Sequence, residues 1–175
     1  MVTVCEFVTE VDAFMNAEKR LVGIDTPQTF QEGRNNREGV FTLQLPIEIN
    51  GEQSAKNNLM IKSYPNNATL KFCICLGHKW TVYRLDYDMD DVHPNPVCNM
   101  RDTFPPQING PHYHPWQYNR ERIVDVQGSI KLPIAFQLDI HIQRWDNAFR
   151  WFCDQTKIEC NNHAIQLPAP TRLFP

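Results

Sequence analysis

The chain has 175 residues, 42% of them apolar and 21% charged, with a formal net charge of −3. That length supports one core of ordinary size, and the composition excludes a disordered or collagen-like chain. The small negative charge excludes a general electrostatic grip on nucleic acid, though not a local basic groove.

No stretch reaches the ~18–20 consecutive apolar residues of a bilayer span. The opening MVTVCEFVTEVDAF has no basic leader and meets Glu6 and Glu10 too early for a signal peptide, so a soluble cytoplasmic protein is expected. The six cysteines (Cys5, Cys73, Cys75, Cys98, Cys153 and Cys160) are then expected to be reduced. Neither they nor Cys73-x-Cys75 followed by His78 match the C-x-x-C spacing of structural zinc sites. Thiols lining one strand face are the simpler reading of that pair.

Thr3 and Glu6 form a capping-box pattern, and Val4, Phe7, Val8, Val11, Phe14 and Met15 recur at helical spacing, which predicts a helix over 4–20. Residues 24–39, rich in Gly and Asn, read as a loop. Four strands follow: 41–49, interrupted by Pro46; 59–64; 69–76, with Leu70, Phe72, Ile74 and Leu76 facing the core; and 79–87. Short connections favour an antiparallel meander. Six of the thirteen prolines fall between Pro94 and Pro115, and residues 88–110 read as a long loop of the kind that carries function. Tyr113 to Tyr118 reads as a further extended segment. A last helix is expected to start near Asp139 and to bury Ile142, Trp145, Phe149, Phe152 and Cys153. Residues 160–175 read as an irregular tail. The expectation is a single α+β domain over 1–175, with four to five antiparallel strands and the N- and C-terminal helices packed on one sheet face.

The sharpest local signal is Gly110-Pro-His112-Tyr-His114-Pro-Trp116. In an extended H-x-H both imidazoles share one face, about 6–7 Å apart along the strand. Such a pair can bind a metal or supply an acid and a base to one substrate. Arg84 and Asp86 end the fourth strand on one face, and Asp88, Asp90, Asp91, His93 and Asn95 follow. If that strand end lies beside the H-x-H segment, these groups converge. The catalytic candidates are His112, His114, Arg84, Asp86, His93 and Tyr113; the binding candidates are Asn95, Trp116 and Arg120. No cofactor is required for this chemistry. If a metal is used, His112 and His114 with His93 or Asp86 make an open three-ligand site. A cupin-like glutamate is absent, since positions 118 and 119 are Tyr and Asn, and the acidic run lacks the glycine and closing glutamate of an EF-hand. Cys98 has no neighbour that marks a stabilised thiolate. Arg101, Arg120 and Arg122 are too scattered to form a patch.

The segments Tyr83-Arg84-Leu85-Asp86, His93-Pro-Asn95-Pro96 and Gly110-Pro-His112-Tyr-His114 resemble a family of small bacterial and phage proteins without an assigned activity. Its pattern runs R-L-D, H-x-N-P, G-x-H-x-H, then a C-terminal helix. The likeness covers residues 40–158 and weakens after His114, where Pro115-Trp116-Gln117-Tyr118 replaces the family's aromatic, basic and Glu-Gly sequence. It implies a chromosomal or prophage accessory gene and treats the three segments as one site. Three functions follow as expectations. The first is an accessory enzyme acting on RNA or another phosphodiester, such as a toxin or anti-defence factor. The second is a non-catalytic inhibitor or antitoxin-like module that binds a protein through residues 88–116. The third is an open histidine–metal site.

Overall fold

The computed structural model describes residues 4–24, 28–33, 39–96, 104–122, 131–160 and 165–170. Thr3 of the capping box, Cys98, Arg101 and the side chain of Arg122 lie outside the described residues.

Helix α1 (Val4–Asn16) buries Phe7, Val11 and Phe14, the stripe expected from their spacing. It ends four residues short of the predicted limit, because Lys19 turns inward and begins a strand. The order continues β1 (Lys19–Leu21), β2 (Gln31–Glu32), β3 (Phe41–Ile49), β4 (Glu52–Ser63), β5 (Phe72–His78), β6 (Trp80–Tyr87), β7 (Val92–Pro94), β8 (Gln107–Asn109) and β9 (His112–His114). Helix α2 (Trp116–Asn119), β10 (Phe136–Gln137), α3 (Trp145–Thr156) and β11 (Ile158–Glu159) complete it. The nine-stranded sheet runs β10-β9-β6-β5-β4-β3-β1-β11, with β2 beside β3, and β7 and β8 pair separately. All its pairings are antiparallel except β1 with β11.

The meander β3 to β6 is the one expected from the sequence, but the sheet exceeds four or five strands. The added segments of the sheet have two or three residues each, too short to show a period. Pro46 sits beside a register shift between β3 and β4, which is how a proline is tolerated inside a paired strand. β4 begins at Glu52 rather than Leu59, because its polar first half projects beyond the core and leaves no apolar signal. Leu70 was expected in the core; it is 40% exposed and precedes β5, while Phe72, Ile74 and Leu76 are fully buried. Asp139 does not cap α3. Its carboxylate instead accepts from the His141 amide in a separate turn, and the helix starts six residues later from an extended Arg144. Only two residues of the 113–118 region, Tyr113 and His114, are strand, since Pro115 caps the short helix α2.

Both long helices cover one sheet face. Phe7 meets Trp80 edge-on, Phe72 meets Trp145 and Tyr83 meets Phe152, joining α1, α3 and the strands in one apolar cluster. Of the predicted tail, residues 165–170 carry no regular structure, yet Ile165 is buried and its carbonyl accepts from Trp145 Nε1. Phe149 is 4% exposed on the buried stripe of α3. Phe149→Ala is expected to cost about 3–5 kcal/mol. Denaturant unfolding checks this, and a loss under about 1 kcal/mol would mean that the stripe contributes little to the core.

The opposite face is polar and unusually rich in reactive groups. Alternation along each strand and the register between strands create two rows. Lys62, Cys73, Asp86 and His112 lie across β4, β5, β6 and β9 in the first, and Met60, Cys75, Arg84 and His114 in the second. Among the described residues, no helix is long and apolar enough to cross a membrane.

Candidate metal centre

The pairing of β6 with β9 sets Asp86 opposite His112 and Arg84 opposite His114. Three segments distant in sequence therefore meet. Gly110, with φ of 82°, makes the left-handed turn into β9 that a side chain would strain. Its carbonyl accepts from His112 Nδ1 at 2.9 Å. That hydrogen bond fixes the tautomer and leaves the Nε2 lone pair free. His93 enters from β7, where Nε2 donates to the Pro133 carbonyl at 2.9 Å and Nδ1 keeps the lone pair. The His93 ring centroid is 5.1 Å from that of His112 and 4.7 Å from that of His114.

Each of the three histidines offers one ring nitrogen, and these nitrogens lie within 4.8 Å of one another. A tetrahedral zinc ion with Zn–N of about 2.0–2.1 Å needs them about 3.4 Å apart, so closure takes roughly 1.4 Å at most. His112 and His114 are 1% and 0% exposed, and His93 is half-buried, so the cluster opens on the His93 side.

His114 is the strained member electrostatically. Its Nε2 is 2.9 Å from Arg84 Nη2 and 3.3 Å from Asp86 Oδ2, and its Nδ1 is buried without a partner. If Nε2 accepts from Arg84, a buried N–H at Nδ1 has no acceptor, at a cost of about 1–3 kcal/mol. If Nε2 donates to Asp86, Nδ1 carries a lone pair that a cation would take up. Burial lowers the His114 pKa and the Asp86 contact works against it, so the neutral ring is favoured. For Asp86, burial acts to raise the pKa. The His114 hydrogen bond and the Arg84 charge outweigh it and hold the carboxyl well below its ordinary 3.8. Asp86 Oδ2 also accepts from Arg84 Nε at 2.6 Å and lies 3.7 Å from His112 Nε2.

Arg84, Asp86, His93, His112 and His114 are thus brought together. The other candidates are not. Tyr113, the middle residue of H-x-H, faces the other side of the sheet by strand alternation and packs among Tyr83, Phe136 and Trp151. Trp116 is 3% exposed and donates to Asp12 of α1, and Arg120 pairs with the same carboxylate at 3.1 Å. Asn95 is buried and spends its amide on the backbone, donating to Pro105 and Ala135 and accepting from the Ala135 amide. Asn119, which carried no sequence signal, reads Ile134 in the same way. The two asparagines hold residues 134–135 in place, just beyond the Pro133 carbonyl that orients His93. The acidic run is also engaged: Asp88 pairs with Lys71, and Asp91 accepts from the Val92 and Gly110 amides.

Beside the centre lies a cleft of about 510 Å³, walled by Lys62, Cys73, Cys75, Arg84 and Asp86 from the sheet and by residues 131–133 across from it. Three of its side chains are cationic: Lys62, Arg84 and Lys131. Sequence reasoning missed the two lysines. Lys62 alternates onto this face in β4, which was legible, whereas Lys131 follows residues with no periodic pattern. Comparison of the chain with protein-family models, curated proteins and solved structures finds no match.

Proposed function

We propose that the chain is a hydrolase of anionic esters, with phosphodiesters such as RNA the best-fitting class, built on a divalent metal held by His93, His112 and His114. The observation that carries this reading is the set of three imidazole nitrogens within 4.8 Å of one another. Two of the rings are already oriented through their other nitrogen by a backbone carbonyl, the outer-shell arrangement of metal-bound histidines. A zinc-class ion there supplies a Lewis acid and a water of lowered pKa. The residues around it do the rest. Arg84 faces the cleft and meets negative charge on the substrate, Lys62 and Lys131 attract the anion, and Asp86 orients His114.

A metal-free reading has its own support. Asp86 Oδ2 lies 3.3 and 3.7 Å from the two Nε2 atoms, and a histidine acid/base pair beside Arg84 is suited to phosphodiester cleavage. A partner-binding role for residues 88–116 loses its aromatic anchor, because Trp116 is buried. The toxin or anti-defence setting rests on the family resemblance alone.

The test is metal analysis of the purified chain beside an RNA-cleavage assay with and without chelator. At least about one equivalent of a zinc-class metal, with cleavage lost on chelation and restored by zinc, is expected. Cleavage that survives chelation would select the metal-free reading. A chain that neither binds metal nor cleaves would overturn both.

A further inference from the structure

The cleft holds a second group of soft ligands that the histidine centre does not use. Cys73 and Cys75 are two residues apart on β5, so alternation turns both thiols to the polar face. Their Sγ atoms are 3.4 Å apart. Both line the cleft, and Cys73 stands opposite Asp86 in the β5–β6 pairing, on the side away from β9.

Two fates are open to such a pair, and geometry separates them. Two residues of antiparallel strand advance about 6.8 Å, at the far edge of the roughly 4.4–6.8 Å between Cα atoms that a disulfide spans. Closing a disulfide here would strain a strand paired on both sides. Two thiolates on one tetrahedral ion, with metal–sulfur bonds of about 2.3 Å, sit about 3.8 Å apart. The observed spacing is within a few tenths of an ångström of that value.

We propose that Cys73 and Cys75 form a dithiolate site for a thiophilic divalent cation of the zinc or cadmium class, with its remaining positions open to the cleft. On binding, each thiol releases its proton to solvent and forms a metal–sulfur bond, and no electron is transferred. Lys62, Arg84 and Lys131 surround the cleft and select against hard cations. Magnesium and calcium gain little from sulfur and would meet the positive charges unshielded. A soft ion brings two thiolates and is shielded by them. The two thiols differ. The hydrogen bond from Cys73, with Arg84 and Lys62, holds the Cys75 thiol below its ordinary value against burial. That same hydrogen bond, burial and Asp86 push the Cys73 thiol up, so the Cys73 proton leaves only when the metal displaces it. Asp86 would then stand between two cation sites, paired across from Cys73 on one side and within 3.7 Å of His112 and 3.3 Å of His114 on the other.

This site does not require the histidine centre to be loaded. Cobalt(II) added to the reduced full-length chain is expected to give a thiolate-to-metal charge-transfer band in the near ultraviolet. The band is lost in the double variant Cys73→Ser/Cys75→Ser and kept in His112→Ala, so failure of the histidine centre leaves it in place. A second measurement needs no variant. Cadmium is expected to slow alkylation of Cys73 and Cys75 by about tenfold or more, because metal-bound thiolate is withdrawn from reaction. Cys5, and the other thiol pair Cys153 with Cys160, should keep their rates. Absence of the band in the wild type, its persistence in the double serine variant, its loss in His112→Ala, or protection confined to other cysteines would overturn the proposal.

Discussion

With zinc at about a hundredfold above its dissociation constant, the wild-type chain is expected to gain about 2.7 kcal/mol of stability. For a chain of this length that is a rise of roughly 5–11 °C in melting temperature. In the Cys73→Ser/Cys75→Ser background, where only the histidine centre can take zinc, His112→Ala should show no such rise. The side chain is 1% exposed and its Nδ1–H serves the Gly110 carbonyl, so the variant itself starts about 1–3 kcal/mol less stable. The informative quantity is therefore the zinc-induced shift rather than the absolute melting temperature. Loss of an outer-shell partner costs up to about a hundredfold in metal affinity, and loss of a ligand should cost more. Tyr113→Phe, one residue away on the opposite sheet face, should keep the full shift. Equal shifts in that background with and without His112→Ala would remove the histidines from the metal reading.

The second large effect is expected at Lys19. This side chain is 2% exposed, and its ammonium donates to the carbonyls of Ala17 at 2.7 Å, Thr156 at 2.9 Å and Met15 at 3.3 Å. It joins the C-terminal ends of α1 and α3, where the helix dipoles favour a cation. Lys19→Met keeps the volume but leaves three carbonyls without their donor, at about 1–3 kcal/mol for each that stays dry. Relief of the buried charge offsets part of this, so a net loss of about 3 kcal/mol is expected. Burial pushes the Lys19 pKa from 10.5 down to about 8. Between those values the unfolded chain binds the proton and the folded chain does not, so stability rises with pH across that window. The slope is at most about 1.4 kcal/mol per pH unit, and it is absent below about pH 8, where both states are protonated. Urea titrations of both chains at several values from pH 7 to 10.5 isolate this contribution as their difference. A difference that stays flat from pH 8 to 10.5 would show that the lysine keeps its proton.

The parts of this fold that were legible in the sequence are those with a period. The α1 stripe, the β3 to β6 meander and the buried stripe of α3 each rest on apolar residues recurring at 3.6 or 2.0. Convergence of the histidines was legible only conditionally. R-L-D and H-x-H each showed two side chains on one face, and the meander suggested that they could meet. The contacts that make the site came without a signal. Nothing in Pro133 announces a carbonyl that orients His93, and nothing in Asn95 or Asn119 separates a backbone clamp from a ligand contact. Tyr113 was assigned to the wrong side because its nearness in sequence to both histidines was weighed above the alternation that was already explicit in H-x-H. Leu70 was assigned to the core by extending a good alternation one step past the point where the strand begins.

The parallel pairing of β1 with β11 carries a consequence for how the chain is made. Lys19 aligns with Ile158 and Arg20 with Glu159, across almost the whole described length. The N-terminal segment leaves the ribosome long before its partner exists, and such distant pairings are slow to form. Strands β3 to β6, β9 and β10, with the residues of the histidine cluster, are complete by Gln137. During synthesis the reactive face can therefore assemble while the apolar face still waits for α3. The nascent chain would display Phe72 and Tyr83, which pack on Trp145 and Phe152 of α3, to solvent in that interval, a window in which chaperone engagement is most needed.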